Sequence, residues 1–262
     1  MKSALLKAGE RIVCKTVLVF IYVVLSMIAV TPIGIAAAIL SLPGLKKPMS
    51  VIVSLTARAW AWSIIALSGC KLSVQGRENI PASGGVCFVS NHVGIFDIVL
   101  ALALFKRPFG FIAKRELFFI PLLNMWIWLL GGLFIDRKNI RKAVRTITTG
   151  ISRIKDGSAM IIFPEGTRSK GRGLQPFKAG SFKLATQSGA VIVPVAISGS
   201  YDVFEKNYRV ASVPVQVVFS PVIETAGLSP EERKQRLSAQ VYAVIENALR
   251  QPRPEPLPNP AR

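Results

Sequence analysis

The sequence predicts an α/β fold, with a mostly parallel central sheet flanked by helices and an N-terminal two-helix membrane-docking element ahead of it. Three observations predict it. After Lys71, short β-rich runs alternate with segments of helical period. Several of those runs are continuously apolar, as strands covered on both faces must be. Before Lys71, two long stretches are almost free of charge. A chain of 262 residues suffices for one large core with an appended element. The expected division is 1–70 for the membrane-associated segment, 71–250 for the α/β domain and 251–262 for a Pro-rich disordered tail.

The first stretch, Thr16 to Leu45, carries no charge, with Lys2, Lys7, Arg11 and Lys15 before it and Lys46 and Lys47 after it. It is long enough to cross a bilayer. Thr31-Pro32-Ile33-Gly34 is expected to break it near the middle, which leaves a kinked span and a re-entrant hairpin both open, and basic residues on both flanks leave its orientation open. A cleaved signal peptide fits less well, because the apolar run exceeds a usual h-region. The second stretch runs from Met49 to Cys70, interrupted by Arg58, with Trp60 and Trp62 spaced as at a membrane end.

Strands are expected at Val86–Ser90, Phe109–Ala113, Ala159–Phe163, Ala190–Ile197 and Val213–Phe219, the last alternating in polarity as an edge strand would. Pro194 inside its strand pattern suggests an edge or a strand end near the site. Ile140, Val144, Ile147, Ile151 and Ile154 recur at helical spacing and Gly157 stops that helix. Ser229-Pro230-Glu231-Glu232 reads as a capped helix start, followed by Leu237, Val241, Ile245 and Leu249 on one face. Leu117–Ile135 is uncharged, but Pro121, Asn124 and Gly131-Gly132 predict a broken element within the domain; Trp126 and Trp128 belong to core or to a lipid-facing surface.

Thirty-three Lys and Arg against fourteen Asp and Glu give a net charge of +19, while 51% of residues are hydrophobic. Nucleic-acid binders share the charge but not the oiliness, so the pair of traits points to an anionic membrane or to substrates with both phosphate and acyl chain, and not to nucleic acid. Cys14, Cys70 and Cys87 have neither disulfide nor zinc spacing, so no metal site is expected and a reducing, cytosol-facing location is.

His92 is the only histidine, five positions before Asp97, directly after a predicted strand. On a regular helix those positions lie roughly 140° apart, so the side chains converge only if residues 91–94 form a turn and the helix starts near Ile95. Such a pair suits a general base and the group that orients it. The strand ending at Phe163 runs into Pro164-Glu165-Gly166-Thr167-Arg168, offering a carboxylate, a glycine permitting close approach, a hydroxyl and a guanidinium that matches phosphate bidentately. Asp136-Arg137 and Lys114-Arg115-Glu116 are further polar groups leaving apolar runs. No G-x-S-x-G elbow, P-loop or dinucleotide loop occurs in a supporting context, which leaves a base without a protein nucleophile.

Asn91-His92-x-x-x-x-Asp97, Gly132-Leu133-Phe134-Ile135-Asp136-Arg137, Phe163-Pro164-Glu165-Gly166-Thr167-Arg168 and Val193-Pro194-Val195, in that order, resemble the glycerolipid acyltransferase family, and within it the bacterial 1-acyl-sn-glycerol-3-phosphate acyltransferases. The resemblance extends over most of Leu72 to Val222 and includes Lys114-Arg115-Glu116-Leu117 and Gly171-Arg172-Gly173. It implies that His92 deprotonates the sn-2 hydroxyl of lysophosphatidate for attack on an acyl thioester, with Asp97 positioning His92. It further implies that Arg137, Glu165, Gly166, Thr167 and Arg168 bind glycerophosphate and that Lys114 contacts phosphate or oxyanion. The implied co-substrate is acyl-CoA or an acyl-carrier-protein thioester, with no bound cofactor. The implied location is the cytoplasmic membrane, with the catalytic domain on the cytoplasmic side. One departure is that many members carry Ser, Thr or another polar residue where this chain has Gly94. The rival readings are an acyltransferase with another lyso-lipid or glycerol phosphate as acceptor, a water-using thioesterase or lipase, and a non-catalytic anionic-lipid binder.

Overall fold

The computed structural model describes residues 2–41, 46–227 and 236–252. A seven-stranded sheet forms its centre, built from β1 (Lys71–Gln75), β2 (Val86–Ser90), β3 (Phe109–Lys114), β4 (Leu133–Ile135), β5 (Ala159–Ile162), β6 (Val191–Ser198) and β7 (Pro214–Phe219). Their order across the sheet is β1-β7-β6-β2-β5-β3-β4. Every pairing is parallel except β6 with β7. The expected mostly parallel sheet is therefore present, and the five strands from β6 to β4 all end on one edge.

Side-chain alternation along β2 divides the core. Val86 and Phe88 face one layer, Cys87 and Val89 the other, and all four are fully buried. The first layer holds α2 (Lys46–Ser68), through Ala57, Ala61, Ile64 and Ile65, and α3 (Phe96–Leu104), through Leu100 and Leu104. The second holds α5 (Ile140–Lys155), α6 (Lys183–Ser188) and the C-terminal helix α8 (Leu237–Arg250), with Leu237, Val241 and Ile245 inward. Both faces covered is what a continuous apolar strand requires. The proposed helix start at Ser229–Glu232 and most of the Pro-rich tail lie outside the described residues.

Two strand assignments need correction. β7 is interior, flanked by β1 and β6, so its polar alternation does not mark an edge: Gln216 is buried beside β1. The edge on that side is β1, a short strand that passes unnoticed in the sequence. Pro194 is interior too. The β6–β7 register runs Val195↔Phe219, whereas the isolated bridge beyond is Ile192↔Ile223, so one extra residue is inserted opposite Pro194. Its carbonyl still accepts from Ser220 N at 2.9 Å. A bulge, not an edge, absorbs the missing N–H.

The long N-terminal helix α1 (Lys2–Ser41) is continuous through Pro32, contrary to the expected break. It packs antiparallel to α2: Tyr22 Oη donates to Ser63 Oγ at 2.7 Å and Trp60 Nε1 to Ser26 Oγ at 2.9 Å. Trp60 thus ties helix to helix. Lys15 Nζ bonds the Ser68 carbonyl at 2.6 Å, while Ala37 is buried with Trp126 of α4 (Leu123–Leu129). Between these anchors, roughly 33 Å apart along a helix, Val17, Leu18, Ile21, Val24, Leu25 and Ile28 are exposed. An apolar face of that extent fits a membrane-associated helix, and α1 is long and apolar enough to cross a bilayer.

Leu117–Ile135 is broken as expected, into a 3₁₀ turn, α4 and β4, with Trp126 buried and Trp128 exposed. On α5 the apolar stripe is inward only at its C-terminal end: Ile151 and Ile154 are buried, but Ile140 and Val144 overhang the sheet, exposed.

Gly110 and Gly131 let β3 and the turn before β4 meet. A Cβ on Gly110 would stand 2.3 Å from the Gly131 carbonyl oxygen, which also accepts from Arg153 Nη1 at 2.7 Å. Gly110→Ala is therefore expected to lose about 1–3 kcal/mol, since backbone must move; thermal unfolding in detergent measures it.

Candidate active site

Four parallel strands deliver functional groups to one sheet edge, the carboxyl edge where α/β folds bind ligands. Across it stand His92 after β2, Glu165 after β5, Lys114 at the end of β3 and Arg137 after β4. Strand spacing puts β2 and β4 roughly 14 Å apart, a gap that long side chains must close. Arg137 does so by donating from Nη1 to the Gly166 carbonyl.

The histidine turn is built as its spacing predicts. Residues 91–94 leave β2 without helical structure, Ile95 is the N-cap and α3 begins at Phe96. Asp97 comes back under the turn: its Oδ2 accepts from His92 Nδ1 at 2.7 Å, from Val93 N at 2.7 Å and from Gly94 N at 3.0 Å. Asp97 is fully buried, and its Oδ1 has no hydrogen-bond partner. A carboxylate can only accept here, so the ring proton sits on Nδ1 and Nε2 keeps its lone pair. Phe163 stacks on the ring, centroids 4.1 Å apart.

Asn91 fixes the turn to β6, giving Nδ2–H to Ile197 O and accepting Ile197 N–H at Oδ1, both at 2.8 Å. On the other side the loop after β5 is stitched to it. Glu165 Oε1 accepts from His92 N at 2.8 Å, Ser169 N donates to His92 O at 2.7 Å and Lys170 N to Val93 O at 3.1 Å. Burial pushes the Glu165 carboxyl up to about 6, against the pull of the His92 and Gln175 backbone N–H groups.

Beyond Gly166 opens a cavity of about 420 Å³, lined by Lys114, Arg115, Glu116, Phe119, Ile135, Asp136, Arg137 and Lys138. Arg115 is bound to Asp136 at 2.6 Å and Lys114 faces Glu116 at 3.6 Å, which leaves Arg137 and Lys138 as the excess of positive charge. That suits a phosphate. Of the residues singled out in the sequence, Lys114 and Arg137 line this cavity, and Gly166 adjoins it through Arg137. The other three stand elsewhere: Glu165 is buried under His92, Thr167 is exposed, and Arg168 is paired with Glu205 at 2.6 Å. Sequence reasoning missed Glu205 and Lys138, which carry no motif of their own, and the stacking on His92 by Phe163, a residue it had placed only at the start of the Phe163–Arg168 motif. Among the described residues no group of three or more His, Cys, Asp or Glu gathers to hold a metal ion.

Sheet, helices and a histidine–carboxylate pair without a protein nucleophile define an α/β acyltransferase. The chain belongs to the glycerolipid acyltransferase family. An Acyltransferase family model matches residues 71–198. The chain is 34% identical over 169 residues to a 1-acyl-sn-glycerol-3-phosphate acyltransferase of Borreliella burgdorferi, covering 64% of this chain and 68% of that one. It is 32% identical over 184 residues to the Escherichia coli protein of the same name, covering 70% and 74%. Among solved structures it resembles the 1-acyl-sn-glycerophosphate acyltransferase PlsC of Thermotoga maritima, with a TM-score of 0.79 and 26% identity over 92% of this chain and 95% of that one.

Glu165 supplies a pH test. Its raised pKa means that stability is full below the unfolded value near 4.5 and is lost as pH rises through about 6. Relative to Glu165→Gln, the wild type should therefore lose thermal stability between those two values and no further above them. A difference in Tm that stays constant from pH 4 to 8 would contradict this.

Proposed function

We propose that the protein transfers an acyl group from a thioester to the sn-2 hydroxyl of 1-acyl-sn-glycerol-3-phosphate, giving phosphatidate, with His92 as general base. The observation that carries this is the 2.7 Å bond from His92 Nδ1 to Asp97, beside a cationic cavity on the same sheet edge. His92 Nε2 takes the hydroxyl proton as the oxygen attacks the thioester carbonyl. The C–S bond then breaks and the departing thiolate takes the proton back from the imidazolium. Asp97 holds the tautomer and stabilises the imidazolium. Lys114 and Arg137 take the phosphate, with Lys138 beside them; Glu165, Gly166, Thr167 and Arg168 shape the loop between that cavity and the histidine, so that the phosphate is held while the sn-2 hydroxyl meets Nε2.

The exposed face of α1 supports entry of lipid from the bilayer, the α/β domain lying on the cytoplasmic side. In this reading residues 1–70 dock, 71–250 catalyse and 251–262 form a tail. The donor is acyl-CoA or acyl carrier protein, supplied from the aqueous side.

His92→Ala should abolish lysophosphatidate-dependent thiol release while vesicle binding persists. Asp97→Asn should lower kcat by on the order of 10³–10⁴, because the amide favours the wrong ring tautomer. Assay of purified variants with acyl-CoA, acyl carrier protein and a panel of lyso-lipid acceptors tests both. Unchanged turnover in His92→Ala would overturn the proposal, and transfer to every acceptor but lysophosphatidate would overturn its substrate.

A further inference from the structure

Glu205 lies in the turn after a short helix, α7 (Ser200–Val203), with no motif around it, yet both of its oxygens are committed to the site. Oε1 pairs with Arg168 Nη1 at 2.6 Å. Oε2 accepts the backbone N–H of Ile95, the residue that opens α3 between His92 and Asp97. One half-buried carboxylate therefore clamps the turn that carries the base to the loop that follows β5.

Gly94 is shaped by the same contact. Its φ is not positive, so backbone freedom does not explain a glycine there. Space does: a Cβ would stand 2.7 Å from Glu205 Oε2, 3.1 Å from Tyr201 Cα and 3.2 Å from Tyr201 N. Two of those three neighbours are backbone and cannot swing away. The absent side chain at position 94 and the carboxylate at 205 are two halves of one fit.

The segment holding Glu205 is itself anchored. Phe204 packs on Phe20 of α1, ring centroids 5.1 Å apart, and Val210 N donates to Thr16 Oγ1 at 2.9 Å. The Ile95 N–H would otherwise be one of the unpaired donors at a helix start, and no side-chain cap within α3 serves it. From these contacts we infer that Glu205 is a positioning residue for acyl transfer: through Ile95 N and Arg168 it sets the His92–Asp97 turn against the loop carrying Glu165. This inference rests on His92 being the base.

The test uses the full-length protein in detergent or vesicles. Glu205→Ala and the nearly isosteric Glu205→Gln are compared with wild type for kcat, acceptor KM and Tm. Because His92 is the only histidine, selective labelling gives one imidazole spectrum, which reports the turn independently of turnover. The expected result is a fall in kcat of about tenfold or more in Glu205→Ala, as small misplacement of a base produces. Acceptor KM should stay within about threefold, and the His92 ring resonances should move. Glu205→Gln, which can accept at only one of the two contacts, should fall between. Gly94→Ala should cost less activity in the Glu205→Ala background than in wild type, since the carboxylate it collides with is gone.

Wild-type kcat in Glu205→Ala, or a lower acceptor KM with nothing else altered, would overturn the inference; the second result would mean that Glu205 merely masks Arg168. So would activity lost only in proportion to lost fold, with Glu205→Gln behaving as wild type. Ring resonances that shift in a protein whose wild type transfers no acyl group would sink the catalytic reading of His92 while leaving the clamp in place.

Discussion

A single carboxylate oxygen organises the site. Asp97 Oδ2 receives the His92 ring and two consecutive backbone N–H groups, so ring orientation and turn geometry are set by the same atom. Charge-assisted bonds of this kind are stronger than neutral ones, and complete burial of Asp97 keeps water from competing for them. The remainder of the site is support for that turn.

The support comes from three directions because a turn has no internal ladder of its own. Asn91 imitates a strand neighbour, exchanging both amide bonds with Ile197 of β6. Glu165, Ser169 and Lys170 pair with its backbone from the loop after β5, so two adjacent parallel strands share one continuous rim. Glu205 closes the third side, and its neighbour Phe204 connects it to the long apolar helix α1. The N-terminal helix pair and the His92–Asp97 turn thus belong to one packed body: α2 shares a core with the sheet through Ala61 and Ile65 and cannot be lifted off without opening it.

What the sequence discloses follows the period and range of the interactions. Continuous apolar runs disclosed β2, β3, β5 and β6 because two-sided burial leaves no polar position. The same logic failed for β7, where Gln216 is polar yet interior, and for β4, which has only three residues. Pro32 was expected to break α1, but a helix supported on one side by α2 and α4 tolerates a missing bond. The His92–Asp97 turn was legible because five-residue spacing, a single histidine and a strand exit are all local. Glu205 was not, being 113 positions from His92 and lacking any pattern of its own. Arg168 was legible as a cation in a loop, but its partner was not, so the division of labour between Arg137 at the cavity and Arg168 in the clamp emerges only in three dimensions.

The account stands on the neutral His92 ring carrying its proton on Nδ1, toward Asp97, and presenting a bare Nε2 to the substrate. Nitrogen NMR of histidine-labelled protein, at a pH where the ring is neutral, reads this tautomer directly from one residue. The account predicts a protonated Nδ1 and an unprotonated Nε2, with that preference lost in Asp97→Asn. A ring protonated at Nε2, or a tautomer indifferent to Asp97, would contradict it.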